Sequence, residues 1–249
     1  SMVERIEVIY GASAEHGLGA TGGIINYITR RADTGTINQE ASVSLTSDDD
    51  FDSDGQGHKV DYSISGQKGD WDYLGAISQQ KRGVFYDGDD QLVGIAYPGE
   101  LQNSTSYDVM GRVGYWIDDN QNIELMLNHF ELEGEGDYVP VPGDRDEGIP
   151  TRARPGDPVG DPGFNKVTTA SFSYSHADWF GNKADVQVYG QQFRAQFATT
   201  PFFPYVDSAG NSQLDQTRNE SDKVGAKFTL TRDGPVSYPL LTLRTIHLL

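Results

Sequence analysis

The first residues that could do chemistry are the glycines near the start. Gly17-Leu18-Gly19-Ala20-Thr21-Gly22 has the G-x-G-x-x-G spacing that lets a pyrophosphate approach the backbone at a helix N-terminus. That motif needs a helix behind it. Here Gly23-Ile24-Ile25-Asn26-Tyr27-Ile28-Thr29 follows, rich in β-branched residues, with no βαβ alternation downstream and no lysine for a P-loop. A nucleotide site is not expected. Asp50, Asp52, Asp54 and Gly55 match the start of a calcium loop, in which alternate carboxylates reach one ion, and Asp61 falls at the twelfth position. The closing ligand of such a loop is normally a bidentate Glu, and Asp61 sits in an alternating strand pattern, so a solvated acidic hairpin is expected and calcium is the weaker alternative. His16, His58, His129, His176 and His247 show no metal-ligand spacing, and no G-x-S-x-G elbow occurs. The expectation is a protein that is not an enzyme and carries no cofactor.

Composition narrows the class. Nineteen Lys and Arg against 37 Asp and Glu give a net charge of −18, which would repel a polyanion, so nucleic acid is excluded as a partner. There is no cysteine, hence no disulfide and no thiolate metal site. No run of about 18 apolar residues is present, which excludes a transmembrane helix from the sequence given. A transmembrane barrel stays open, because its strands need only about 10 residues of alternating polarity and its lumen and loops are polar. The mean hydropathy of −0.54 is compatible with that. The opening residues show no basic start followed by an apolar stretch, so no signal peptide is read there.

Period-two alternation dominates the chain, predicting an all-β fold. Val60, Tyr62 and Ile64 alternate with polar residues, as do Tyr107, Val109, Gly111, Val113, Tyr115 and Ile117 with Asp108 and Arg112 among others. Ile123, Leu125 and Leu127; Ala170, Phe172 and Tyr174; Ala184, Val186 and Val188; and Val224, Ala226, Phe228 and Leu230 repeat the pattern. With weaker segments near Ala41 to Thr46 and Trp71 to Gln80, eight strands are expected between Thr36 and Thr231. Connections near Lys68 to Asp70, Asp118 to Gln121 and Asp178 to Asn182 are tight. Those near Asp48 to Gly57, Val84 to Asn103, Glu133 to Phe164 and Thr199 to Arg218 are long. Sorting short and long connections to opposite ends is the habit of outer-membrane barrels, not of sandwiches. Trp71, Trp116 and Trp179 all lie beside the tight turns, where one aromatic girdle is expected.

The segment VERIEVIYGASAEHGLGATGGIINYITRR carries a resemblance. Its Glu4-Arg5 pair, the alternating Ile6 to Tyr10, Gly11, a loop to Thr21, and Gly22, Gly23 and Asn26 in a strand ending at Arg30 resemble the closing part of the plug of TonB-dependent outer-membrane receptors. The resemblance implies a partial transmembrane antiparallel β-barrel preceded by the last strands of a plug. It assigns 1–33 to the end of the plug, 34–233 to the first barrel strands and 234–249 to an atypical tail, with the chain starting midway through a plug. Glu4, Arg5, Glu7, Gly11, Gly22, Gly23 and Asn26 are then the plug-motif residues, with the charged ones facing the barrel wall. Many family members have arginine where this chain has Tyr10, so a plug-to-wall ion pair is expected from Arg5 instead. In the family the plug leads directly into the first barrel strand on the periplasmic side, so the first connection is external, which agrees in phase with the long Asp48 to Gly57 stretch.

The implied function is active import of a scarce nutrient, with a ferric siderophore as first choice, across the cell outer membrane. The implied partners are the inner-membrane TonB complex, acting through an N-terminal part not in this chain, the iron chelate, and outer-membrane lipid and lipopolysaccharide. Ligand candidates in the long connections are Tyr138, Arg152 and Arg154, with Arg145 nearby, and the stiff aromatic run holding Phe202, Phe203 and Tyr205. Mutual packing of the loops is the competing role for them. Pro235 and Pro239 interrupt any strand in the tail, and its last 16 residues lack acids, which suggests truncation or a frame change near Gly234. Two other classes fit the strand pattern less well: a complete eight-stranded pore or adhesin, and a soluble β-rich binding protein.

Overall fold

The computed structural model describes residues 3–10, 23–29, 37–95, 102–199, 205–232 and 246–248. β1 (Val3–Tyr10) and β2 (Gly23–Thr29) form an antiparallel sheet of their own, with Glu7 opposite Asn26 and Tyr10 opposite Gly23. Gly11 and Gly22 of the plug motif, and the side chains of Glu4 and Arg5, lie outside the described residues.

All eight strands expected between Thr36 and Thr231 are present. They are β3 (Asn38–Thr46), β4 (Gly57–Lys68), β5 (Trp71–Arg82), β6 (Ser104–Asp118) and β7 (Gln121–Gly134), followed, after a small hairpin of β8 (Tyr138–Val141) and β9 (Arg152–Pro155), by β10 (Phe164–Trp179) and β11 (Asn182–Gln196). A second small hairpin, β12 (Tyr205–Val206) and β13 (Ser212–Gln213), precedes β14 (Arg218–Thr231), and β15 (Ile246–Leu248) lies in the tail. β3, β4, β5, β6, β7, β10, β11, β14 and β15 pair in that order as one antiparallel meander, nine strands among the described residues. The tail thus adds a strand where the prolines argued against one. β15 is only three residues long and covers β14 at Val224 to Ala226, backbone pairing there needing no continuity through Pro235 and Pro239.

Register fixes which face each side chain takes. One cross-strand row runs Tyr73, Val113, Leu125, Phe172, Val188, Ala226. The row one residue along runs Leu74, Arg112, Met126, Ser171, Tyr189, Gly225. The first row is exposed despite being apolar, with Val113 43% and Phe172 49% accessible; the second holds Arg112 at 5% and Ser171 at 6%. The ordinary distribution is partly inverted: the outer row is apolar, while the shielded face holds buried polar groups beside a small apolar cluster of Leu74, Ala76, Met110 and Met126, as a wall between lipid and a polar lumen allows.

The outer face also has ends. Near the tight turns, Trp71, Tyr115, Ile123, Tyr174, Val186 and Phe228 form one row, with Trp71 against Tyr115 at 4.7 Å between rings and Trp179 against Phe228 at 6.5 Å. Trp116 departs from the expected girdle. It follows Tyr115 in the alternation and so turns to the inner face, where its Nε1 donates to Asp72 at 3.2 Å, and Tyr115 takes the outer place. Toward the long connections the outer face becomes ionic: Glu131, Lys166, Arg194 and Glu220 lie in one row. Lys166 meets Glu131 at 2.5 Å, and Arg194 grips Asp222 through two bonds of 2.8 and 3.0 Å. Tyr174 and Lys166 are eight residues apart on β10. At a rise of about 3.3 Å per residue and a tilt of about 40°, that is roughly 20 Å of membrane depth, near the apolar band of about 25 Å in known barrels.

On the inner face Arg112 bridges Asp72 of β5 at 3.3 Å and Glu124 of β7 at 2.7 Å. Gly114 makes room for this, since a Cβ there would lie 2.4 Å from Asp72 Oδ2. Two expected outcomes follow for refolding of the protein into lipid vesicles, measured by urea titration. Leu127→Arg on the outer face should cost about 2–4 kcal/mol while Ser173→Arg on the inner face costs under about 1 kcal/mol. Asp72→Ala, which strips a buried guanidinium of one partner, should cost about 3 kcal/mol or more.

Candidate functional site at the long-loop end

Strand pairing brings the four long connections, 47–56, 83–103, 135–163 and 197–217, to one end of the sheet. Their many aspartates have local work. Asp87 accepts from the backbone N–H groups of Asp89 and Gln91, Asp144 from those of Asp146 and Glu147, and Asp207 from those of Ala209 and Asn211, at 2.9 to 3.2 Å. Each closes an Asx-type turn at a loop tip, where a short carboxylate replaces missing backbone partners. The acidity of the loops is therefore partly a folding device and not only a solubility feature.

Between loops, Asp54 occupies a central position. Tyr86 donates its hydroxyl to Asp54 Oδ1 at 2.9 Å and Tyr138 to Oδ2 at 2.6 Å, while the Val84 N–H donates to the Asp54 carbonyl at 2.8 Å. Below them Val84, Tyr138 and Ala153 are buried, with Tyr86, Leu92 and Ile95 packed against them. The Tyr138 hydroxyl foremost, together with that of Tyr86, holds the Asp54 carboxyl below its usual range, against partial burial that pushes it up. Burial and the Asp54 carboxylate raise the Tyr86 phenol to about 12 and raise Tyr138 as well. Arg152 pairs with Asp87, which lowers the Asp87 carboxyl, and the Arg152 backbone bridges to Val93.

The fourth connection is tied separately. Gln216 Nε2 donates to the carbonyls of Asp161 at 2.6 Å and Phe197 at 3.2 Å, Gln196 donates to the Pro162 carbonyl at 3.2 Å, and the Thr199 hydroxyl donates to the Val159 carbonyl. A cavity of about 80 Å³ lies where these meet, lined by Leu132, Tyr138, Val159, Pro162, Phe197 and Thr199 among others.

The ligand candidates read from the sequence thus fall in different places. Tyr138 is buried with its hydroxyl engaged, and Arg152 is paired. Arg154 is exposed on β9. Phe202, Phe203 and the side chain of Tyr205 lie outside the described residues, although the Tyr205 backbone begins β12. The acidic run does not gather into a calcium loop: Asp54 is taken by two tyrosines, and Asp61 sits on the inner face of β4 with Lys59 at 2.9 Å and Ser42 at 3.1 Å. Sequence reading missed Asp54, Tyr86 and the β8–β9 hairpin as a group. The short apolar run Val139-Pro140-Val141 was the signal for β8, but nothing local paired it with residue 54.

No protein-family model matches the chain. The rhizobactin receptor of Rhizobium meliloti (strain 1021) is 33% identical over 146 residues, covering 55% of this chain and 18% of that protein. The ferric aerobactin receptor of Klebsiella pneumoniae is 28% identical over 241 residues, covering 92% of this chain and 31% of its own length. The chain therefore spans less than a third of the curated relatives it matches. Among solved structures, a point mutant of the ferric enterobactin receptor of Pseudomonas aeruginosa, in complex with enterobactin, aligns over 91% of this chain and 33% of its own, with a TM-score of 0.61 at 16% identity. The copper transporter OprC aligns over 94% and 32%, with a TM-score of 0.65 at 13% identity. The chain has the fold of the TonB-dependent outer-membrane receptors over the stretch it spans. Within that class its curated relatives are siderophore receptors, not enzymes.

The carboxylates of Asp54 and Asp87 are lowered, so their contribution to loop stability is present above the ordinary carboxylate pKa, about 3.9, and is lost as pH falls through their folded values. The phenols are raised, so theirs is present below about 10 and is lost as pH rises through the folded values. Limited proteolysis of the loops in the protein folded in lipid should be flat from about pH 5 to 9 and accelerate at both extremes. Tyr86→Phe should remove a late step near pH 12 from the tyrosinate absorbance titration.

Proposed function

We propose that this chain serves TonB-dependent import of a ferric siderophore across the cell outer membrane. Residues 1–33 act as the end of a plug, 34–233 as the opening strands of the barrel wall, and 234–249 as an atypical tail. One observation carries the reading: the inverted sheet, apolar outside and polar inside with its long loops at one end, coincides with similarity to a ferric aerobactin receptor over 92% of the chain. Lipid requires the first of these and the second supports the substrate class.

In this mechanism the loop end captures the chelate and the plug rearranges to open a path, with energy from the inner-membrane TonB complex. No covalent bond in the substrate changes. Arg154, exposed on β9, and the aromatic run containing Phe202, Phe203 and Tyr205 are the proposed ligand contacts; Tyr138 and Arg152 serve by holding the loops in place. Glu4, Arg5, Glu7, Gly11, Gly22, Gly23 and Asn26 are assigned to the plug and its pairing with the wall. The ionic row at Glu131, Lys166, Arg194 and Glu220, on the outer face toward the long connections, is assigned in this reading to lipid and lipopolysaccharide headgroups.

The complete eight-stranded barrel is disfavoured. Closing it would pair β3 with β14, but β14 carries β15, and β3 pairs with β4 alone among the described residues and is exposed along its whole length. The full-length receptor, expressed in a strain lacking its own siderophore receptors, should restore growth and radioiron uptake on ferric aerobactin. Uptake should vanish when TonB is deleted. Recovery of the receptor in the soluble periplasm, or uptake indifferent to TonB, would overturn the reading. Arg154→Ala should weaken ferric aerobactin binding by about tenfold, the loss of one charge-assisted contact.

A further inference from the structure

Residues 47–56, 83–95 and 135–156 belong to three different connections, yet one carboxylate reaches all of them. We propose that Asp54 is the positioning residue that joins the first three long connections into a single unit, on which the ligand-facing surface depends. The second half of this statement rests on the function proposed above; the first does not.

The three oxygens of Asp54 reach two other connections. Oδ1 takes the hydroxyl of Tyr86 in the second connection, Oδ2 takes that of Tyr138 in the third, and the carbonyl takes the N–H of Val84. The seat is built for close approach, because a Cβ on Gly83 would lie 2.2 Å from the Asp54 carbonyl oxygen. Directly beneath, Val84 and Tyr138 share a buried cluster with Ala153, so the second and third connections are packed together where the carboxylate holds them. Arg152 to Asp87 and the backbone bridge from Val93 to Arg152 reinforce the same pair. A carboxylate that spends both oxygens on different loops couples them in a way that two independent bonds would not, since releasing it frees both at once.

The fourth connection hangs on another knot. Gln216 and Thr199 hold it to residues 159–161 of the third, away from Asp54. The 80 Å³ cavity borders both regions, with Tyr138 on one side and Phe197 and Thr199 on the other. The geometry thus divides the crown into two parts with separate fastenings.

Hydrogen–deuterium exchange on the full-length receptor without ligand reads this directly. Asp54→Ala should raise exchange in 84–95 and 138–155 together by about tenfold or more, as expected for loss of hydrogen bonds to a charged group, and leave 205–217 unchanged. Asp54→Asn keeps the shape and one acceptor oxygen and should be intermediate. Gln216→Ala should do the converse. If Asp54→Ala cannot be recovered from the membrane, Tyr86→Phe and Tyr138→Phe, which leave the carboxylate in place, carry the same comparison. An increase confined to 47–56 overturns the proposal. Ferric aerobactin binding should weaken about tenfold in Asp54→Ala with the maximal uptake rate unchanged. Raised exchange with unaltered binding would overturn the dependence of the ligand surface on the unit. Coupled exchange in a wild-type receptor that binds no ferric aerobactin would leave the unit standing and remove the siderophore reading instead.

Discussion

In a wall facing hydrocarbon, every backbone N–H and C=O must find its partner in a neighbouring strand, because the lipid side supplies none. The rest of this structure depends on that constraint. The simplest chain path meeting it is a meander, in which each strand pairs with the one before and the one after. From β3 to β14 the main sheet follows that path without a crossover. Tight turns at one end and long connections at the other follow, since only one end needs spare chain. Even the tail obeys it, as a three-residue strand settles on β14 in spite of two prolines upstream.

The second consequence is chemical inversion. With backbone groups satisfied in the plane of the sheet, side chains alone distinguish its two surfaces, and the period of two sends Phe172 to one and Ser171 to the other. The inner surface then collects charges that must be paired because they are shielded. Arg112 with Asp72 and Glu124 is the clearest case, spanning three adjacent strands. Such a trio contributes little net stability compared with an apolar packing, but losing one member is costly. Its value lies in keeping the lumen wall polar.

The loop end shows acidic residues used in two ways. Asp144 and Asp207 fold their own tips by accepting backbone N–H groups within four residues, a local role, and Asp87 does the same while also pairing with Arg152 of another connection. Asp54 reaches Tyr86 and Tyr138, 32 and 84 residues away, and so acts between loops. Arg152 shows the same division, lying in a loop whose charge suggested a ligand while its guanidinium is spent on Asp87. Residue type alone does not separate a binding group from a strut.

Much of the architecture was legible in the residues. The alternating runs placed all eight long strands, and the connection lengths placed their ends, because both follow from local spacing and the pleat. The glycine and β-branched residues at 22–29 predicted a strand and not a nucleotide loop, and β2 is there. Nearness to a turn misled in one case: Trp116 lies beside a tight turn like Trp71 and Trp179, yet the same alternation that sends Tyr115 outward sends Trp116 to the inner face, where it donates to Asp72. No local spacing could link Asp54 to Tyr138, since their meeting depends on the order in which hairpins line up across the sheet. The sequence by itself determined the strands, the two-faced wall and the sorting of its connections, all consequences of short-range periodicity. Tertiary structure alone decided which loop charges are partners of one another and which, like Arg154, stay exposed, because those pairings are set by distances through space that chain spacing does not encode.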